Sequence, residues 1–188
     1  MHFPFVREVI LVALTGASFW FGPRGPRAAN HFSWAPIVEV AVLFAGIFAT
    51  MIPSLALLQA RGWAIGLSQP WHYFWASGGL SSFLDNAPTY LAFTSVAQGQ
   101  VGVSTVGALT ASALAPGSAF SPADFLAAIS CGAVMMGAIT YVGNAPNFAV
   151  KCIAEHSGLK MPSFFGYMRY SILVLVPVFA IVTAVFFL

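Results

Sequence analysis

Asp85 is the only acidic residue between Glu39 and Asp124, and it stands in the run Ser81-Ser82-Phe83-Leu84-Asp85-Asn86-Ala87-Pro88-Thr89. That run offers hydroxyls, a carboxylate and an amide. A second run, Thr140-Tyr141-Val142-Gly143-Asn144-Ala145-Pro146-Asn147, repeats its Asn-Ala-Pro core. Hydroxyl, amide and carbonyl oxygens are what a hard cation such as sodium needs. A carboxyl group deep in an apolar region is costly to keep charged and is a functional candidate by default, here as a proton carrier. The competing reading of Asp85 is an anion that caps the helix starting near Asn86, although Asn86 is itself a good cap. The candidate ion- and substrate-binding set is therefore Ser81, Ser82, Asp85, Asn86 and Thr89, with Thr140, Gly143, Asn144, Pro146 and Asn147. Within it, Ser82, Asn86, Gly143 and Asn144 are candidates to line a sodium site, and Asp85 to carry the proton.

The surroundings of these runs set the class of molecule. The chain has 188 residues, 59% hydrophobic and 6% charged, with a mean hydropathy of +0.86. Soluble domains are about 25% charged, so this chain cannot cover a soluble surface. Uncharged stretches at 40–60, 62–84, 86–123, 125–150 and 170–188 mostly meet the roughly 20 residues that span a bilayer core as helix. The expected fold is an all-α, polytopic membrane bundle whose partner is the lipid bilayer. Seven scattered Lys and Arg and a net charge of +2 offer nothing to nucleic acid. No Ser/His/Asp set, phosphate loop or zinc-ligand spacing argues for an enzyme or a cofactor; sodium enters only as a coupling or transported ion. Cys131 and Cys152 lie about 30 Å apart on a continuous helix, too far for a disulfide. Residues 9–21 imitate a signal-peptide core, but Trp20 and Phe21 stand where cleavage wants small residues.

The elements follow from punctuation. Helices are expected over 4–22 and 36–59, with a basic loop at Arg24 and Arg27 between them. Two apolar halves at 71–80 and 90–97 flank the first run, each too short to cross, which predicts a re-entrant helical hairpin. A connector at 98–121 holds one short helix near 104–114. A helix from 122 breaks at 141–147 and resumes to 156, and a last helix covers 164–188 with a kink at Pro177. These group as two spanning helices over 1–61, a transport core over 62–158 and a terminal helix over 159–188.

Proline removes a helix N–H and disfavours helical geometry before it, so each Asn-Ala-Pro marks a helix restart within the membrane. Backbone left unpaired there is tolerated only where it lines a cavity or binds something. Discontinuous helices meeting at the midplane are how secondary transporters build their sites. Arg24, Arg27, Lys151, Lys160 and Arg169 fall on one side of this map and Arg7 and Arg61 on the other, which makes the first side cytoplasmic. An exported amino terminus carrying Arg7 is awkward under that rule, and the expectation is a carboxy-terminal fragment of a longer protein.

Other polar residues have structural readings. Lys151 and Glu155 are spaced as an ion pair, Glu39 suits a helix amino end, and His72 sits in an aromatic cluster with Trp71, Tyr73 and Trp75, a proton relay being its alternative. Ala133 and Gly137 suit close helix packing.

SSFLDNAPTYL, TYVGNAPNFAVKCIAEHSGLKMPSFFGYM and the upstream HFSWAPIVEVAVLFAGIF resemble the carboxy-terminal half of bacterial sodium/proton antiporters and citrate-transporter-like proteins of the ion transporter superfamily. The resemblance implies half of an inverted-repeat transporter, with a missing amino-terminal repeat, a homodimer in the full protein and a multi-pass place in the bacterial inner membrane. It matches Ser82, Asp85, Asn86 and Thr89 to the hairpin tip, and Gly143, Asn144 and Pro146 to the broken helix. Dicarboxylate-transporting relatives carry Ser-Asn-Thr at the tip; here Asp-Asn-Ala-Pro-Thr stands instead, which favours cation/proton exchange. The expected function is ion-coupled secondary transport as sodium/proton antiport, with sodium- or proton-coupled citrate or dicarboxylate symport as the alternative. A membrane-embedded enzyme would want a nucleophile and base, and a channel-like or scaffolding subunit would not need two broken helices.

Overall fold

The computed structural model describes residues 5–29, 34–112 and 120–188. Every regular element among them is helical. Contacts divide the chain into two units, Met1–Ala45 and Gly46–Leu188.

In the first unit α1 (Val6–Phe21) ends at Gly22, whose N–H closes the last turn on the Ser18 carbonyl at 3.0 Å. Sequence predicts a basic loop next; the structure has a six-residue helix, α2 (Arg24–Ala29). Arg27 turns back so that its guanidinium lies 4.3 Å over the Phe19 ring and 3.1 Å from the Ser18 hydroxyl. Its charge is thus held by a helix end and an aromatic face. Phe19 also stacks on Trp34 at 4.9 Å. The side chain of Glu39 lies outside the described residues, and so does its expected helix-end role.

α3 (Ala35–Arg61) begins in the first unit and ends in the second, with Pro53 inside it, and passes into a 3-10 turn over Gly62–Ile65. Then come α4 (Pro70–Ser81) and α5 (Asn86–Val101), joined by four residues. Their 12 and 16 residues make about 18 and 24 Å of helix, both short of a bilayer core of about 30 Å. The second arm exceeds its expected length because it starts at Asn86 rather than near Tyr90. It runs on until Gly102, whose φ of +76° ends the helix.

α6 (Val106–Ala111) is the connector's short helix, started by Thr105, whose hydroxyl accepts from the Ala108 N–H at 3.1 Å. It is shorter than expected, and the connector's residues 113–119 lie outside the described set. α7 (Pro122–Met135) starts with proline in its first turn and a Ser121–Asp124 capping box, and tightens into a 3-10 turn over Met136–Ile139. After the expected break come α8 (Ala145–His156) and α9 (Phe164–Phe186), the latter with Pro177 inside.

Among the described residues three segments are long and apolar enough to cross a membrane: Val40–Ile65, Pro122–Ile139 and Phe164–Phe186. α1, also expected to span, has 16 residues, about 24 Å of helix.

The core of the second unit lies between α4 and α7. Tyr73, Phe74, Ile129 and Met136 are fully buried there. Small residues let the two backbones approach. A Cβ on Gly132 would strike the Phe74 carbonyl and stand 2.5 Å from the Ser77 hydroxyl, while one on Gly78 would collide with the Met136 side chain. At the hairpin's base the Tyr73 hydroxyl donates to Gln100 at 2.6 Å, and Gln100 donates to the Leu67 carbonyl at 2.6 Å. α9 joins through the Trp75 indole N–H, which donates to Thr183 at 3.0 Å, and through Phe179 and Phe187 against Phe74.

Candidate functional site

The hairpin turns over in four residues because α4 finishes on its own carbonyls. Ser82 donates its N–H to Gly78 at 3.0 Å, and Leu84 to Leu80 at 3.0 Å. Asp85 is then extended (φ −63°, ψ 151°), and its carboxylate accepts the Asn86 N–H at 2.7 Å. The cap of α5 is therefore Asp85 and not Asn86, a correction to the sequence reading with a physical reason: the Asn86 side chain is engaged elsewhere. Its amide nitrogen, in the orientation that satisfies its neighbours, reaches the Ala133 carbonyl at 2.8 Å, the Gly143 carbonyl at 3.2 Å and the Ser81 hydroxyl at 2.8 Å. Two of these acceptors belong to the broken helix.

The break begins at Thr140, which is extended (φ −124°, ψ 166°) and fully buried. Its hydroxyl accepts the N–H groups of Val142 at 3.1 Å and Gly143 at 2.9 Å, and donates to the Ser82 carbonyl on the hairpin tip. One side chain thus replaces the helix ladder that the break removes and ties it to the tip. Asn147 completes the job from inside α8, donating to the carbonyls of Gly137 at 3.2 Å and Thr140 at 3.1 Å.

Further bonds run from α4 to α7. Ser81 donates to the Ala133 carbonyl, Ser82 to Met136 at 3.0 Å, and Ser77 lies 3.3 Å from the Ile129 carbonyl. Ser77 is absent from the sequence-derived set. Its signal was available, since it sits one turn before Ser81 beside Gly78 on the face that meets α7. Gly137 belongs here too: a Cβ on it would stand 2.7 Å from the Asn86 side-chain amide and 2.9 Å from the Gly143 carbonyl.

Of the candidates, Ser81, Ser82, Asn86, Thr140 and Gly143 are brought directly together. Thr89 is buried and donates to the Asp85 carbonyl at 3.0 Å, within its own turn. Asn144 occupies the capping position of α8, yet its side chain makes no capping bond; Pro146 stands exposed in the first turn. The two amino ends therefore differ. That of α5 carries a carboxylate, and that of α8 lacks a side-chain cap. Asp85 is half-buried and in no ion pair among the described residues.

Where the tip meets the break, the carbonyls of Ser81, Ser82, Ala133, Gly137 and Gly143 gather with the hydroxyls of Ser81, Ser82 and Thr140, the carbonyls of Ser82, Ala133, Gly137 and Gly143 accepting from the protein's own side chains. Such an oxygen-rich shell suits a hard cation carried as substrate. No group of three His, Cys, Asp or Glu residues able to hold a metal ion occurs among the described residues. His72, offered as a relay or belt residue, accepts the N–H groups of Ser68 at 3.2 Å and Gln69 at 3.3 Å, and so tethers the start of α4. Lys151 and Glu155 form the expected pair at 2.7 Å, and both cysteines are free thiols.

The sequence matches the family described as "Putative citrate transport" over residues 2–187. Neither a curated protein nor a solved structure gives a match.

Proposed function

The chain belongs to that family and is a helical membrane protein of the secondary-transport class; on this premise we propose that its hairpin tip and helix break form one site for a citrate-like carboxylate and its coupling cation. The observation that carries the reading is Asn86, whose amide spans from the tip to the Ala133 and Gly143 carbonyls. It makes two interrupted elements one oxygen-lined surface. The amino end of α8, left without a side-chain cap by Asn144, supplies a positive dipole suited to a carboxylate, although Pro146 carries no N–H and that of Asn147 is bonded to the Asn144 carbonyl at 3.0 Å. The cation takes the hydroxyls and carbonyls around Ser82 and Gly143, with Asp85 beside them. An inverted amino-terminal repeat and a homodimer, as the resemblance implies, would supply the facing half. The setting we propose is a bacterial inner membrane.

Asp85 favours a second reading, sodium/proton antiport. Its carboxylate meets the Asn86 N–H and no basic partner among the described residues, which leaves it able to exchange a proton.

Proteoliposomes separate the two. Symport predicts accumulation of radiolabelled citrate driven by an inward sodium or proton gradient and abolished by the matching ionophore. Antiport predicts no citrate uptake, with an imposed sodium gradient changing internal pH. Absence of both activities from correctly inserted protein that includes the facing repeat would sink the transport site described here.

A further inference from the structure

Where α8 gives way to the segment entering α9, a cleft of about 570 Å³ opens, with Tyr141 and Val142 of the break on one side. Its lining includes Tyr141, Phe148, Lys151, Glu155, Lys160 and Met161. One wall is built firmly: the Tyr141 ring stacks on Tyr167 at 4.1 Å, and its hydroxyl donates to the Pro162 carbonyl at 3.2 Å. Lys151 lies 5.7 Å from the Tyr141 ring centroid, with its ammonium 2.7 and 2.8 Å from the two Glu155 oxygens. Glu155 offsets Lys151, so the unmatched charge of the cleft is Lys160, which is exposed and in no ion pair among the described residues.

The rest of the lining is apolar and opens outward. Phe148 is 55% exposed, and Val142, also in the cleft, is 58% exposed. A cationic end joined to an exposed apolar wall fits an amphiphile better than a free anion, which would have nothing to place on Phe148. In a membrane protein such a basic cleft between helices meets anionic headgroups. The sequence-based topology also sets Lys151 and Lys160 together on the cytoplasmic side.

We propose that this cleft binds an anionic phospholipid, with the headgroup phosphate at Lys160 and Lys151 and an acyl chain along Phe148 and Val142. Phosphate oxygens would make charge-assisted hydrogen bonds to the two ammonium groups, in competition with Glu155 for Lys151. The proposal is independent of which solute is transported.

Native mass spectrometry of the detergent-purified protein, titrated separately with phosphatidylglycerol, phosphatidylcholine and inorganic phosphate, tests it. Phosphatidylglycerol should bind more tightly than phosphatidylcholine. Lys160→Gln should weaken phosphatidylglycerol alone, by about fivefold for one lost lysine contact. Glu155→Gln should strengthen it by releasing Lys151, a change of opposite sign that general damage to the fold would not produce. Arg61→Gln, at the end of α3, should leave it unchanged. Equal binding of the two lipids, insensitivity to Lys160→Gln, or inorganic phosphate displacing the lipid at equal concentration would overturn the assignment.

Discussion

Replacing Gly143 with alanine asks whether the hairpin tip and the helix break are one site. A Cβ at 143 would stand 2.7 Å from the carbonyl oxygens of Ser81 and Gly137, and 2.8 Å from that of Ser82. Close carbon–oxygen contacts settle at about 3.3 Å or more, so each oxygen would have to recede by roughly 0.6 Å. All three are backbone atoms, two on the hairpin and one on the 3-10 turn before the break. Relief therefore means parting the two elements. Overpacking of this kind costs about 1–3 kcal/mol. Parting also stretches the Asn86 bond to the Gly143 carbonyl and the Thr140 bond to Ser82, and a buried group left unpaired costs about 1–3 kcal/mol. The expected loss is about 2–6 kcal/mol, seen as a fall of at least about 4 °C in melting temperature for a chain of this size. Gly79→Ala is the control: it lies in the same helix as Ser81, and its Cβ meets nothing within 4 Å. It should melt no lower than the parent, since alanine in an accessible conformation stabilises by about 0.4–1 kcal/mol. Tryptophan fluorescence during heating of the purified protein in detergent reads both. A Gly143→Ala protein that melts with the parent would refute the docking of tip against break.

Thr140→Val should lose about 2 kcal/mol or more, because two N–H groups and the Ser82 carbonyl give up their partner; Thr140→Ser should restore the melting temperature. Asn86→Ala should cost about 1–3 kcal/mol of stability, whereas Asn144→Ala, which removes no capping bond, should melt like the parent and lower substrate affinity; equal melting losses would show that both residues are only structural. Asp85→Asn keeps a good helix cap and should unfold within about 0.5 kcal/mol of the parent, while removing any proton exchange carried by Asp85; full pH-driven activity in proteoliposomes would confine Asp85 to capping.

The helix breaks were legible because their cause is local. Proline and asparagine act on their own backbone, so 86–89 and 144–147 announce restarts without any knowledge of neighbours. The choice of cap was not local. Asp85 and Asn86 are both competent, and the decision falls to the Ala133 and Gly143 carbonyls, which capture the Asn86 amide from far along the chain. The length of α5 was hidden for a related reason. Its buried residues, Thr89 and then Thr94 to Gln98, are mostly polar or small, so no apolar stripe marks the helix. Ser77 stands one turn before Ser81 on the same helix, a spacing that hints at a shared polar face, but only the Ile129 carbonyl 3.3 Å away gives that face a partner. The bond between Lys151 and Glu155 was readable from spacing alone, but the cleft around it depends on how the chain turns between α8 and α9.

The serine contacts between α4 and α7 also order events in time as the chain is made. Ser82 and the Met136 carbonyl it binds are 54 residues apart. At about 5–20 residues per second, the ribosome needs roughly 3–11 seconds to deliver that partner after the hairpin tip has emerged. Throughout that interval the Ser82 hydroxyl has only the Gly78 carbonyl of its own helix, and the Ser82 carbonyl has not yet met Thr140, a backbone acceptor that bare lipid cannot satisfy. That waiting carbonyl favours keeping the hairpin tip in water until α7 and the break arrive.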